Sequence, residues 1–271
     1  MATLNKDYVL IKINDKRLKT QQKIESDLSS FNRHFVECVD GHNEEAVIRF
    51  FKNNPNIKEA RPTRAGFLGH WLTFLNILQY IIDNNIDNLL VLEDDAILSK
   101  TFIQDLEMYM SHLPEDYDFF MIYDSEPNKH NYMFSKDELK MRIPQRFKID
   151  RDPTKVHADW NIDSKYIVRT YQKFGSVGQV FSNSGAKKIM QLTEKNGLGI
   201  SRWEVRAFDM TMYQYSFRGI INGYQANPIH HINKMITIEE TIQGTNNETQ
   251  IQLTKYISLE KLLGVELGKI R

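Results

Sequence analysis

The chain has 271 residues, enough for one large α/β domain or one domain carrying a small extension, and enough to bury a core without covalent staples. Lysine plus arginine and aspartate plus glutamate number 35 each, so the formal net charge is zero, which argues against a broad nucleic-acid-binding face. Cys38 is the single cysteine; it excludes an intrachain disulfide and suits a reducing compartment, read as cytoplasm.

Residues 1–7 hold no apolar run of the signal-peptide kind. Residues 8–14 (YVLIKIN) form a β-prone run, 18–31 follow with helical spacing, and 33–39 (RHFVECV) return to strand character. That order predicts a βαβ unit in a parallel sheet, closed by Asp40-Gly41. Residues 43–53 read as a helix. The longest apolar stretch, 67–82, is interrupted by Gly69, His70, Thr73, Asn76 and Gln79 and reads as a buried helix, not a membrane span. Peripheral membrane contact stays open.

Residues 88–92 (NLLVL) have the near-continuous apolar character of a strand buried on both faces, and they run into Glu93-Asp94-Asp95. A helix over 101–113 and a strand over 117–123 (YDFFMIY) come next, ending at Asp124. Periodicity is lost over 125–164, a polar insertion with the composition of a surface loop or lid. Strands over 166–171 and 177–181, helices over 184–195 and 207–217, and a strand over 219–224 complete the pattern, followed by Pro228, His230 and His231. A last helix is expected over 259–267. The fold class is thus α/β, a Rossmann-type, mostly parallel sheet flanked by helices, with a domain over 1–235 and a C-terminal extension over 236–271.

Three groups of residues carry chemistry. In an open α/β sheet, ligands bind beyond the carboxyl ends of the strands. A buried strand ending in three carboxylates places hard oxygen ligands there, and a divalent cation such as Mg²⁺ or Mn²⁺ would offset their repulsion. An acidic turn capping a following helix is the competing reading. His230 and His231 follow the last expected strand, where a further metal ligand can approach, or they belong to an ordinary polar loop. Asp209 and Glu204 lie near the start of an expected helix, either as dipole partners or as the general base that a sugar hydroxyl needs. Asp124, which also ends a strand, is a third candidate base.

These blocks in this order resemble glycosyltransferase family 25. The resemblance rests on residues 9–14, Arg17 and Val39-Asp40-Gly41, then on 66–70 (GFLGH), 90–98 (LVLEDDAIL) and 178–189 (GQVFSNSGAKKI), with Asp209 downstream. Gly69 stands where the family has a serine before the histidine, and Gln179 and Phe181 alter its tyrosine-bearing segment.

The resemblance implies a GT-A fold, a UDP-sugar donor, Mn²⁺ (or Mg²⁺), and inverting transfer of galactose or glucose to a glycan or glycosylated acceptor. It makes Asp95, with Asp94, the metal-diphosphate anchor, and it leaves Glu93 to orient the turn or meet the ribose. It sets Asn14, Arg17, Asp40 and Gly41 near the nucleotide. His70 is either a packed core histidine or part of the site. Ser182, Ser184, Gly185 and Ala186 would form a helix start flanking the acceptor side, or a simple cap. Tyr132, Phe134, Trp160 and Trp203 are candidates for stacking on sugar faces. Two other functions remain: a Mg²⁺-dependent phosphohydrolase, disfavoured because Ala96-Ile97-Leu98 follow the acids, and a non-catalytic glycan-binding or structural module.

Overall fold

In a computed structural model the described residues are 2–12, 17–57, 63–122, 166–169, 176–201, 204–205, 207–217, 219–226, 235–238 and 256–257. The opening unit is β1 (Asp7–Ile11), α1 (Leu18–Asp27) and β2 (Asn32–His34), with β1 and β2 parallel as the spacing predicts. There follow α2 (Glu44–Asn53), β3 (Thr63–Arg64), α3 (Ala65–Asp83), β4 (Asn88–Glu93), β5 (Ala96–Leu98), α4 (Phe102–His112) and β6 (Phe119–Met121). The second half holds β7 (Ile167–Arg169), β8 (Gly178–Ser182), α5 (Asn183–Asn196), β9 (Gly199–Ser201), β10 (Glu204–Val205), α6 (Phe208–Phe217), β11 (Gly223–Ala226), β12 (Ile236–Ile238) and β13 (Tyr256–Ile257).

Seven strands form the central sheet in the order β2-β1-β4-β8-β6-β11-β7. β1, β2, β4, β6 and β11 run one way, and β8 and β7 run the other. The sheet is therefore mostly parallel in strand direction, with β8 inserted antiparallel between β4 and β6.

β4 lies inside the sheet, between β1 and β8, and its side chains alternate between two cores as strand geometry requires. Leu89 and Val91 pack with α2, α3, α5 and α6 through Val47, Trp71, Leu75, Ile189 and Phe208. Leu90 and Leu92 pack with α1 and α4 through Ile24, Leu28, Phe102, Leu106 and Tyr109. A strand between two such layers has no polar face to present, which is why 89–92 is apolar throughout.

By length and composition α3 is long and apolar enough to cross a membrane. Here it is a core helix: Leu68, Trp71, Leu72, Phe74, Leu75, Ile77, Leu78 and Ile81 are all buried. Each such side chain contributes about 1.5–3 kcal/mol of burial, so truncating Trp71 would be among the most damaging single changes. The helix stops at Asn85, whose φ of 49° turns the backbone left-handed, and the Ile86 N–H bonds back to Ile81 O at 3.0 Å.

Several strands are shorter than the sequence suggests, two of them for a visible reason. β2 ends at His34 because the edge chain then departs: Phe35 points into solvent, and Val39 N–H donates to Thr73 Oγ1 of α3 at 2.9 Å instead of to the sheet. The last strand begins at Gly223, not 219, because Gly219 (φ 64°) closes a turn on Ser216 O. The expected helix over 259–267 lies outside the described residues. Residues Ile236–Ile238 pair antiparallel with β5, directly after the acidic turn.

Candidate active site

The strand order changes direction between β1 and β4, since the chain leaves β1 toward β2 on one side and later crosses to β4 on the other. Such a switch point opens a crevice beyond the carboxyl ends of the strands. Ile11 and Glu93 are register partners at that edge. Lys12, which follows Ile11, and the Asp94-Asp95 turn, which follows Glu93, therefore leave the sheet side by side.

Arg17 sits at the start of α1 and grips the turn. Its Nη1 donates to Asp94 Oδ1 at 2.8 Å and lies 3.2 Å from Asp95 Oδ2. Gln21, one helical turn on and hence on the same face, donates from Nε2 to Asp94 Oδ2 at 3.4 Å. Asp95 Oδ1 is buried and has no hydrogen-bond partner. Burial, then the neighbouring charges of Glu93 and Asp94, push the Asp95 carboxyl up to about 6 against the opposing pull of Arg17. A carboxylate with one buried open oxygen, crowded by two other acids, could hold a metal ion.

Glu93 faces inward from the end of β4. Its Oε1 accepts a hydrogen bond from Ser176 Oγ and lies 3.3 Å from His70 Nε2, and Ser176 Oγ is 2.7 Å from that same nitrogen. Burial acts to raise the Glu93 carboxyl, but the His70 hydrogen bond and charge, Ser176 and Arg17 together outweigh it, and the net direction is down. The triplet is thus divided: Glu93 is held by α3 and the segment before β8, while Asp94 and Asp95 face Arg17. The reading of the triplet as a helix cap is overturned, because β5 and not a helix follows it, and α4 begins only at Phe102.

His70 belongs to this site and not merely to the core. Its ring meets Phe74 and Phe208 edge-on, with centroids 4.8 and 6.1 Å away, and leaves Nε2 for Glu93 and Ser176. Phe208 stacks on Phe74 at 4.2 Å, which ties the start of α6 to α3. Asp209 is the next residue; it is 9% exposed, in the first turn of α6, and its Oδ1 accepts the Met210 N–H at 2.8 Å. Packing of Phe208 against His70 brings this acid to the same end of the sheet as the triplet.

Asp40 and Gly41 serve the approach of the loop after β2. Asp40 Oδ1 accepts the His42 N–H at 2.9 Å, and Asp40 O accepts the Asn43 N–H at 3.0 Å. A Cβ on Gly41 would stand 1.7 Å from Ala65 O, and one on Gly69 would stand 2.5 Å from Gly41 N. The two glycines face each other at a backbone contact that admits no side chain, immediately before His70.

One expectation is corrected. β8 runs antiparallel to β4, and Ser182 pairs with Asn88, at the amino end of β4. The start of α5 therefore lies about 16 Å from Glu93, at the opposite end of β4 from the acidic turn. Ser182 is a cap: its Oγ accepts the Gly185 N–H at 3.0 Å and donates to Tyr117 O at 2.7 Å. Gly185 is small because a Cβ there would stand 2.0 Å from Asp118 O.

Asn14, Asp124, His230 and His231 lie outside the described residues, as do Tyr132, Phe134, Trp160 and Trp203. Glu204 is described by its backbone, which pairs with Ser201 in a two-stranded ribbon. Among the described residues no group of three or more His, Cys, Asp or Glu side chains is arranged to hold a metal ion. Sequence reasoning missed Ser176 and Gln21. Ser176 carries no local signal, whereas Gln21 stands four residues after Arg17 and was open to the helical-face argument.

A mixed sheet with helices on both faces, and a carboxylate cluster at its switch point, defines a Rossmann-like α/β fold. Residues 8–211 match the family described as "Glycosyltransferase family 25 (LPS biosynthesis protein)", and the chain belongs to that family. It is therefore a glycosyltransferase, and the phosphohydrolase reading is set aside. No curated protein matches the chain.

Proposed function

We propose that this glycosyltransferase moves a hexose, galactose or glucose, from a UDP-sugar to a glycan or glycosylated acceptor, with inversion at the anomeric carbon. The observation that carries the metal half of this reading is Asp95: its Oδ1 is buried and unpartnered at the switch point, while Arg17 covers Asp94 and the other Asp95 oxygen. Two carboxylates face one arginine there, with Glu93 behind them, which leaves negative charge for a cation to balance. Asp94 and Asp95 would hold Mn²⁺ or Mg²⁺, and His230 or His231 would complete the set. When bound, that ion would neutralise the diphosphate as it departs.

The chain's own residues divide the remaining work. Arg17 positions the acidic turn and adds positive charge beside the phosphates, with Asn14, Asp40 and Gly41 on the nucleotide side. Asp209 takes the proton from the acceptor hydroxyl as that oxygen attacks the anomeric carbon and the bond to UDP breaks. Glu204 and Asp124 are the alternative bases. Glu93, fixed by His70 and Ser176, holds the end of β4 so that Asp94 and Asp95 keep their directions.

The test is a donor screen. UDP-galactose, UDP-glucose and other nucleotide sugars are incubated with Mn²⁺ and scored for slow donor hydrolysis, which needs no acceptor. A UDP-hexose should be consumed, and a chelator or Asp95→Asn should abolish the activity. Undiminished turnover in chelator would remove the metal, and preference for a donor other than a UDP-hexose would overturn the donor assignment.

A further inference from the structure

Two glutamines lie in the floor below this crevice. Gln179 on β8 and Gln225 on β11 are both 0% exposed. Among the described residues the amide nitrogen and oxygen of each are buried without a hydrogen-bond partner. A primary amide brings two N–H donors and one carbonyl acceptor, and native proteins rarely bury such groups unmet. Four unmet amide atoms in one sheet call for an occupant that supplies both donors and acceptors.

Strand register puts the two side by side. Gln179 is opposite Val91 on one side and Met121 on the other, and Met121 is opposite Gln225. The glutamines therefore stand on one face of the sheet, on either side of Met121 and about 10 Å apart. Glu93 follows Val91 by two residues, so it projects on that same face one step nearer the carboxyl edge.

Two aromatic contacts place the start of α6 above this row. Phe208 lies 6.1 Å from the ring of His70, which bonds Ser176 just before Gln179. It also lies 6.1 Å from Phe181, two residues after Gln179. Ser216, near the other end of α6, donates to Gly223 O, two residues before Gln225. The row is thus roofed by the helix that carries Asp209.

We propose that Gln179 and Gln225 are the hydroxyl-reading groups of a sugar subsite, a specificity pair for a neutral polyhydroxylated ring; this rests on the hexosyl-transfer reading above. The row favours a neutral ligand: from Val91 through Gln179 and Met121 to Gln225 its side chains are apolar or amide, with no charge to pair. Hydroxyls satisfy an amide in both directions, as donor to its oxygen and acceptor from its nitrogen. The ring is either the one transferred or the one that receives it, and the experiment separates the two.

Gln179→Leu and Gln225→Leu keep size and remove the amides. If the amides await a ligand, each variant without ligand should melt at or above the wild-type temperature, because an unmet buried polar group has been removed. With UDP-galactose or UDP-glucose as donor and methyl glycosides as acceptors, kcat/KM should fall about 10- to 100-fold. Binding of UDP alone with Mn²⁺ should not change. A rise in donor KM assigns the pair to the transferred hexose, and a rise in acceptor KM assigns it to the receiving ring.

A lower melting temperature with unchanged kcat/KM would make the glutamines structural and overturn the proposal, as would no change in either quantity. The melting measurement needs no donor, so a drop there counts against the pair even if no UDP-sugar is accepted. Failure of the wild type on every UDP-hexose would refute the donor assignment. An active wild type with indifferent variants would refute only the glutamine pair.

Discussion

Arg17 Nη1 lies between two carboxylates, 2.8 Å from Asp94 Oδ1 and 3.2 Å from Asp95 Oδ2, and so occupies the position of a built-in counter-ion at the end of β4. Removing it leaves adjacent like charges at a partly buried turn, whose repulsion is only weakly screened there. Arg17→Ala should destabilise the metal-free protein by about 1–3 kcal/mol, and millimolar Mn²⁺ should restore part of that loss. Thermal melts in chelator and in Mn²⁺ check this. Arg17→Lys should recover only part of the effect, because an ammonium cannot match the planar fork of guanidinium.

The Asp95 carboxyl, pushed up to about 6, makes a pH prediction with a definite sign. The folded chain holds this proton over a range where the unfolded chain, with an ordinary aspartate, has released it. Stability of the metal-free protein should therefore fall as pH rises from about 4 through 6, and level off above that. Asp95→Asn removes the penalty. It should raise the melting temperature in chelator at pH 7–8, by a gain of up to about 2 kcal/mol after solvent screening, and the gain should vanish near pH 4. A gain of equal size at both ends of the range would show that the charge is not its source.

Much of the frame could be read from local pattern. The apolar run 89–92 of β4 identified a strand buried on both faces, because two helix layers leave it no polar face, and the acids at its end marked the candidate site. What could not be read depends on strand direction and on contacts far apart in the chain. The start of α5 was expected beside the acceptor, yet one antiparallel strand, β8, carries Ser182 to the opposite end of β4. Nothing in the residues 178–182 themselves states that direction. Likewise Ser176 meets Glu93 across 83 positions of sequence, and no spacing rule links them.

The Glu93, His70 and Ser176 cluster predicts a loss in the opposite pH direction from Asp95. Glu93 has its carboxyl held below the usual range, so it stabilises the fold above that range, and the contribution is lost as pH falls through its folded value. His70→Ala would leave Glu93 buried with one partner fewer, at a cost of about 2–4 kcal/mol at neutral pH. Because Glu93 aims the turn, the same variant should also reduce donor hydrolysis. Chemical denaturation at pH 7 and pH 4 checks the first part: the difference between wild type and variant should narrow in acid.

The contact between Gly41 and Gly69 sets the last prediction. A Cβ on Gly69 would stand 2.5 Å from Gly41 N and 2.6 Å from Val39 O, both backbone atoms that no rotamer change can move away. Gly69→Ala must therefore separate α3 from the loop after β2, and should destabilise the protein by about 3 kcal/mol. Gly66, three residues earlier on the same helix, meets nothing within 4 Å, so Gly66→Ala should be tolerated or slightly stabilising as a better helix former. The pair of melts separates a steric cause from a general intolerance of substitution in this turn. Gly69 also precedes His70, so the displaced backbone in Gly69→Ala should loosen the His70 hold on Glu93. Donor hydrolysis should then fall further than the stability loss alone accounts for, measured at a temperature where the variant is still folded.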